Sequence, residues 1–360
     1  MSRPRLLLVG RTRFTFPLSP TLERRFDALS EVLEWRQLGS GRGGDERFAL
    51  AAPFPLGRLD GIAFYAALPF RAARELRRFR PDAVLVQGAQ ETALVLLARR
   101  LARVPTKVIL DVHGDPRVAT RLYGSRARRL LDPLADALAR LGLRRADAIR
   151  TVSGFTTGLV RAAGREPTAV FPAYMDLTPF VEPPLAPLPE RPSALFVGVL
   201  ERYKGLDVLE RAWPLVRARV SDAELRVVGR GTLPPPAGDG ITWTPELSTD
   251  GVAAALDAAT CLVLPSRSEG MGRVVVEAFC RGRAVVGSDD GGIPDLVESG
   301  VSGLLVPPGD VQALADALAR VLGDRALAAR LGERAHAAAA AWVATPAEWA
   351  ARMRDLVERA

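Results

Sequence analysis

The stretch Ala259–Gly282 constrains this chain more than any other. ATCLVLP (Ala259–Pro265) is an apolar run of strand length, SRSEGMG follows as a glycine-containing turn, and a helix continues through the apolar Val274–Val276. Strand, turn and helix in this order form an α/β unit that holds an anion at the helix N-terminus. Gly270 and Gly272 let the backbone approach a ligand with its N–H groups pointing outward. Glu269 and Glu277 bracket the turn, and Glu277 falls about a turn and a half into the helix. There a carboxylate can still reach a polyol beside a bound phosphate. One carboxylate before the turn and one on the helix suits a sugar attached to a nucleotide diphosphate. The competing reading makes Glu269 a charge favoured by the helix dipole and Glu277 a solvated helix residue. The strand, the glycines and the loop downstream favour the ligand.

Further stretches carry a resemblance. SDDGGIPDLVESGVSGLLVPPGD (Ser288–Asp310), FVGVLERYKGLDVL (Phe196–Leu209) and LRVVGRG (Leu225–Gly231) stand in order around PSRSEGMGRVVVEAFCRG. Together they resemble the E-x7-E signature and the Gly-Gly-x-Pro-[Glu/Asp] loop of the retaining family-4 glycosyltransferases. The likeness is strong over most of residues 193–325 and weak in the N-terminal half. It implies an α/β protein of GT-B fold, two Rossmann-like doubly wound domains facing each other across a cleft. It also implies sugar transfer from a UDP- or GDP-linked donor.

Length and composition agree with that expectation. At 360 residues the chain is comfortable for two domains, and 48% hydrophobic with 25% charged residues is an ordinary globular mixture. No apolar run nears the roughly 18–20 residues of a membrane helix, and the start, MSRPRLLLVG, is too short in apolar residues for a signal-peptide core. Cys261 and Cys280 lie in apolar segments as buried thiols, which fits a cytoplasmic setting. With two cysteines and two histidines a structural zinc site is excluded, and no metal is expected. Charge is uneven: residues 1–180 hold 30 Lys+Arg against 17 Asp+Glu, and residues 181–360 hold 19 against 24. A basic half invites nucleic acid or anionic lipid. No nucleic-acid motif accompanies it and aromatics are 6%, so nucleic acid is set aside.

Three segments divide the chain: an N-terminal acceptor domain over 1–178, a Pro-dense linker over 179–192, and a donor domain over 193–342. The terminal helix, 343–360, is expected to return to the first domain. In the N-terminal half, strands are predicted at Arg5–Val9, Ala83–Gln87, Thr106–Asp111, Ala148–Thr151 and Ala169–Phe171. Helices are predicted at Ala63–Arg78, Glu91–Leu101 and Arg126–Leu141. The first loop, Gly10–Ser19, lacks the Gly-Gly turn of many family members. Its Arg11 and Arg13 either supply charge to the acceptor side or are solvated. His113 begins the loop after a buried strand, where open α/β sheets bind ligands. Asp115 and Arg117 either bind acceptor hydroxyls or a leaving phosphate, or Asp115 caps the turn into Pro116. Phe64–Arg80 carries Arg71, Arg74, Arg77 and Arg78 with an apolar face, interrupted by Pro69. It reads either as an anionic-membrane contact or as core with a solvated rim, and Arg126–Arg145 has the same ambiguity.

In the C-terminal half, Arg202 and Lys204 follow a strand and precede a helix, where two cations can clamp a diphosphate. The family places its Arg where this chain has Val199, which gives Lys204 the stronger assignment. By resemblance, Glu277 takes the ribose hydroxyls and His113 hydrogen-bonds the transferred sugar. Glu269 holds sugar hydroxyls, Gly270, Met271 and Gly272 meet the leaving phosphate, and Gly291 and Gly292 press on the sugar ring. The expected reaction is retaining, metal-independent hexosyl transfer with front-face attack and no protein base or cofactor. The acceptor is lipid-linked, polysaccharide or a small metabolite. The site of action is the cytoplasm, with or without peripheral contact at the inner face of the membrane. A silent sugar-nucleotide-binding or scaffold subunit is the competing class, and it would be marked by loss of Glu269, Glu277, Lys204 or His113. All four are present. A Rossmann oxidoreductase would need G-x-G-x-x-G after the first strand, and Gly10 is followed by RTRFTF. A glycosidase needs two carboxyls on opposite faces of a scissile bond, which one turn-helix unit does not supply.

Overall fold

Apolar runs too short for helices become strands here, because parallel strands covered on both faces are buried along their whole length. The computed structural model describes residues 3–53, 60–117 and 131–360. The chain divides into two compact units, Met1–Asp176 with Ala344–Ala360, and Leu177–Val343.

The first unit is built on seven parallel strands in the order β3-β2-β1-β4-β5-β6-β7. These are β1 (Arg5–Phe14), β2 (Glu34–Gly41), β3 (Phe48–Ala51), β4 (Ala83–Gln87), β5 (Lys107–Val112), β6 (Ala148–Thr151) and β7 (Ala169–Val170). Between them run α1 (Pro20–Val32), α2 (Asp60–Phe79), α3 (Ala89–Ala102), α4 (Asp132–Arg145) and α5 (Gly154–Ala162). Alternation along β1 supplies both cores. Leu6 and Leu8 join Phe26, Leu29 and Trp35 on one face, and Leu7 and Val9 join Phe64, Leu68 and Leu76 on the other. The strand order reverses between β1 and β4, the position at which open sheets of this kind form a ligand crevice. The terminal helix, α12 (Pro346–Arg359), seats Trp349, Met353 and Leu356 in the first of these cores.

Several expectations need correction. The segment Gly10–Phe14 is not loop but the continuation of β1, with a register shift against β2 between Val9 and Arg13. Phe14 explains it: the ring is buried against Phe26 and Phe48, so the chain stays extended until it is seated. Strands β2 and β3 escaped the sequence reading because EWRQLGSG lacks an apolar run, and FALA, though apolar, is only four residues long and runs on into the Pro-containing APFP. Pro69 does not interrupt α2, whose buried stripe Phe64, Leu68, Ala72, Leu76 and Phe79 outweighs one missing hydrogen bond. Arg71 faces no headgroup; it donates to the carbonyls of Gly39 and Ala49 and ties α2 to β2 and β3. Arg77 donates to the Leu101 carbonyl, while Arg74 and Arg78 are exposed. The helix expected at Arg126–Leu141 is described as α4 from Asp132; residues 126–130, like 118–124 of the His113 loop, lie outside the described residues.

The second unit has six parallel strands in the order β10-β9-β8-β11-β12-β13. They are β8 (Ser193–Val197), β9 (Glu224–Val228), β10 (Ile241–Thr244), β11 (Cys261–Leu264), β12 (Ala284–Ser288) and β13 (Gly303–Val306). The helices are α6 (Thr178–Val181), α7 (Leu206–Arg217), α8 (Thr249–Asp257), α9 (Arg273–Cys280), α10 (Val311–Gly323) and α11 (Arg325–Ala339). Its strand order reverses between β8 and β11. The Pro-dense stretch is no free tether, because three arginines of this unit hold its carbonyls. Arg281 takes those of Phe180, Pro183 and Pro184, Arg283 those of Ala186 and Pro187, and Arg325 those of Leu188 and Pro189. Cys261 and Cys280 are free and buried, and burial pushes their thiols up to about 12 and about 11. Among the described residues no helix is long and apolar enough to cross a membrane.

Candidate active site

The crevice of the second unit lies where β8 and β11 end side by side. Each strand releases its chain into a loop, and the two loops touch. Gly205, which closes the 3-10 turn Arg202–Lys204, adopts a positive φ of 71°, and a Cβ there would sit 1.9 Å from the Pro265 carbonyl oxygen. Only glycine permits this approach, which brings Lys204 beside the turn after β11. Lys204 Nζ forms an ion pair with Glu269 Oε2, the two side chains being 12% and 16% exposed. Arg267 bolts the same two loops together. Its guanidinium forms a fork on Asp207 at 2.6 and 2.7 Å and donates to the Arg202 carbonyl, and its backbone N–H donates to the Tyr203 carbonyl. Asp207 is lowered from the ordinary carboxyl value by the hydrogen bonds from Arg267, against a smaller opposing effect of burial.

The Gly-Gly loop packs on this turn from the other side. The Gly292 N–H donates to the Glu269 carbonyl at 2.8 Å. Added Cβ atoms at Gly291 and Gly292 would lie 2.3 and 2.4 Å from the carbonyl oxygens of Glu269 and Gly270. Met271 is buried, and Gly272 starts α9 in a left-handed conformation. Glu277 lies on the second turn of α9, partly exposed at its surface but closely enclosed. Burial pushes its carboxyl above the ordinary value, and Arg273 opposes this weakly. Thus Lys204, Glu269, Gly270, Met271, Gly272, Gly291 and Gly292 converge, with Glu277 on the helix that follows. Arg202 is exposed and its side chain does not join the Lys204–Glu269 pair. Val199 is exposed too.

In the first unit the carboxyl ends of β4 and β5 carry the other polar cluster. His113 Nε2 is 2.8 Å from Asp111 Oδ2, so that nitrogen bears the proton. Asp111 Oδ1 in turn accepts from Arg150 Nη1 at 2.7 Å. Arg150 is fully buried over the Phe171 ring and also donates to the carbonyls of Phe171 and Pro172. Burial alone would raise the Asp111 carboxyl, but Arg150 and then His113 outweigh it and hold it well below the ordinary range. Gln87 lies 3.4 Å from His113 Nε2. Asp115 takes the backbone N–H and the guanidinium of Arg117, so the two hold each other across the turn. Arg11 and Arg13 both pair with Asp60 at the start of α2, at 4.0 and 2.9 Å. Of these, Arg11, Gln87, Asp111, His113, Asp115 and Arg117 line a cavity of about 1410 Å³ that continues along the leucines of α4.

Sequence reasoning missed Arg267, Asp207, Asp111 and Arg150. Asp111 had a legible signal, a carboxylate two residues before His113 on a predicted strand. Arg150 and Asp207 have no local signal, because their partners lie 39 and 60 residues away.

Known structures share this architecture. A sucrose-phosphate synthase from Thermosynechococcus elongatus superposes with a TM-score of 0.78, covering 99% of both chains at 20% identity. HepE of Anabaena, solved with UDP-glucose, gives 0.70 over 98% of this chain and 99% of its own at 16% identity. The two parallel-sheet Rossmann-like units therefore define a protein of GT-B fold. Residues 191–324 match the family model described as "Glycosyl transferases group 1", and residues 11–173 the "Glycosyl transferase 4-like domain". A GDP-mannose-dependent alpha-(1-6)-phosphatidylinositol monomannoside mannosyltransferase of Mycobacterium tuberculosis is 30% identical over 68% of this chain and 70% of its own. A D-inositol 3-phosphate glycosyltransferase of Nocardia farcinica is 32% identical over 51% and 46%. The chain belongs to the family-4 glycosyltransferases.

Proposed function

We propose that this protein transfers a hexosyl group from a nucleotide diphosphate sugar to an acceptor hydroxyl with retention at the anomeric carbon. The observation that carries this reading is the Lys204–Glu269 pair at the switch point of the second sheet, one turn ahead of α9. Lys204, assisted by the exposed Arg202 and the N-terminus of α9, neutralises the diphosphate, which assigns charge stabilisation to protein groups rather than a metal. Glu269 and the Gly291–Gly292 loop hold the sugar, and Glu277 takes the ribose hydroxyls. The bond from the anomeric carbon to the phosphate oxygen breaks as the acceptor oxygen bonds to the same face. The acceptor proton passes to the departing phosphate oxygen. His113, oriented by Asp111 and Arg150, hydrogen-bonds the sugar. A relative whose name includes GDP-mannose and a fold neighbour solved with UDP-glucose bear on the donor, and both bases enter the test.

Titration of UDP and GDP by calorimetry into wild type and Glu277→Gln is the test. One nucleotide should bind wild type, and its Kd should rise about 30- to 100-fold in the variant, the effect of losing charge-assisted hydrogen bonds. The variant should not be less stable at pH 7. A carboxyl raised in the folded state costs stability as pH climbs from its unfolded pKa through its folded one, and glutamine lacks that cost. Equal affinity in both proteins, or no nucleotide binding to wild type, refutes the site.

The first unit's cavity joins polar groups at His113 to the leucines of α4, which suits an acceptor with a hydroxylated head and an apolar portion. On α2, Phe70 is 71% exposed one turn before the exposed Arg74, and this face is assigned to an anionic membrane surface. Sedimentation with phosphatidylglycerol-containing vesicles should exceed that with phosphatidylcholine alone and fall several-fold in Phe70→Ser. Equal sedimentation with both lipids would remove the membrane from the reading.

A further inference from the structure

One buried titratable pair takes no part in the chemistry above. Glu91 stands in the first turn of α3, at the switch point of the first sheet, and is 7% exposed. Its Oε1 accepts a hydrogen bond from the Tyr65 hydroxyl of α2 at 2.7 Å. Gly88 makes room for it: a Cβ there would come 2.2 Å from Glu91 Oε2. Burial pushes the Glu91 carboxyl above its ordinary value, against the hydrogen bonds from Tyr65 and its own backbone N–H and the charge of Arg11. Glu91 and Tyr65 line the same cavity as Gln87 and His113.

A helix cap explains only part of this arrangement. A carboxylate at the third position of α3 caps the helix equally well from an exposed position, without desolvation. Capping does not require a tyrosine from a second helix, nor a place on the cavity wall. An ionised carboxylate has about four acceptor sites. The hydrogen bond from Tyr65 uses one on Oε1, which leaves acceptor sites on both oxygens for hydroxyl donors. Two acceptor sites on one rigid carboxylate match the spacing of neighbouring hydroxyls on a polyol. Gln87, which can donate and accept, and the imidazole of His113 stand beside them.

We infer that Glu91, fixed by Tyr65, is a positioning residue for the acceptor, and that the acceptor carries a vicinal pair of hydroxyls which this carboxylate takes in the first unit's cavity. The inference deepens the proposed function and rests on its placing the acceptor in this unit, but not on its donor site.

The test is ligand-observed NMR of the full chain with myo-inositol and glycerol, and with 1-butanol as a single-hydroxyl control. Wild type should bind both polyols and not butanol. Glu91→Gln, which keeps the size of the side chain and an oxygen for the cap, should weaken polyol binding about 10-fold or more. Tyr65→Phe should weaken it about threefold by releasing the carboxylate from its orientation. Nucleotide affinity should stay close to wild type in both, and Glu91→Gln should not melt below wild type at neutral pH. Polyol binding unchanged in Glu91→Gln, or absent in wild type, overturns the inference. Should Glu91→Gln fail to fold, Tyr65→Phe decides: affinity equal to wild type overturns the assignment. Failure of nucleotide binding with polyol binding still dependent on Glu91 would bring down the donor reading and leave this one standing.

Discussion

Replacing Lys204 by Met is expected to lower the rate of donor turnover about 10²- to 10³-fold, the scale of losing one preorganised charge at a developing anion. Lys204 reaches its place through a backbone contact between Gly205 and Pro265, and Glu269 holds its ammonium there before any ligand arrives. Preorganisation of this kind spares the reorganisation that a mobile surface lysine would need at the moment of reaction. The same substitution leaves Glu269 without its partner in a site where little of either side chain meets water. The double variant Lys204→Met/Glu269→Gln should therefore lose less activity than the product of the two single losses. Nucleotide release from a hexose donor, measured for the four proteins, gives the cycle. A loss smaller than about fivefold in Lys204→Met, or simple multiplication of the two effects, would show that the pair is only structural.

Arg281→Met is expected to destabilise the second unit by about 3–5 kcal/mol, the summed scale of several charged hydrogen bonds lost at one buried guanidinium. The guanidinium is 1% exposed; it pairs with Asp257 through two 2.8 Å contacts and serves three carbonyls of the Pro-dense stretch. Its loss leaves the part-exposed Asp257 with only the 3.9 Å contact of Arg283, and strips three carbonyls that proline-rich backbone cannot pair in any regular ladder. For a unit of this size the melting transition should fall by roughly 10 °C. Arg281→Lys keeps the charge but not the five-donor fork, and should recover less than half of the loss. Thermal unfolding followed by calorimetry resolves the transition of the second unit. A shift below about 2 °C would mean that the strap is held elsewhere.

The enclosed carboxylates Asp111, Glu91 and Glu277 do not all respond to pH in the same sense. Asp111 is held below its ordinary value in the folded state, so the stability it contributes is present above its unfolded pKa and is lost as pH falls through the folded one. Glu91 and Glu277 are raised, so each lowers stability as pH rises through its folded pKa. The protein retains both at a stability cost, which fits groups kept for what they bind.

Much of this molecule was written locally. The strand, turn and helix around Glu269 and Glu277 could be read from the sequence because strand length, glycine placement and the start of a helix are local properties. Four of the five strands expected in the N-terminal half fall within a residue of their observed ends for the same reason. The fifth, the first strand, runs five residues further, to Phe14, because an aromatic cluster assembled from three separate segments captures that ring. Pro69 stays helical because the packed stripe of α2 overrides a local preference, and Arg71 turns inward because two strands invisible to periodicity present their carbonyls to it. The partnerships that give the site its electrostatics, Lys204 with Glu269, Arg267 with Asp207, Arg150 with Asp111 and Tyr65 with Glu91, join residues 26 to 65 positions apart. The sequence by itself determined which residue types stand at the ends of the strands. Which of them meet was decided by the order of the strands in each sheet, because that order alone sets which loops lie side by side.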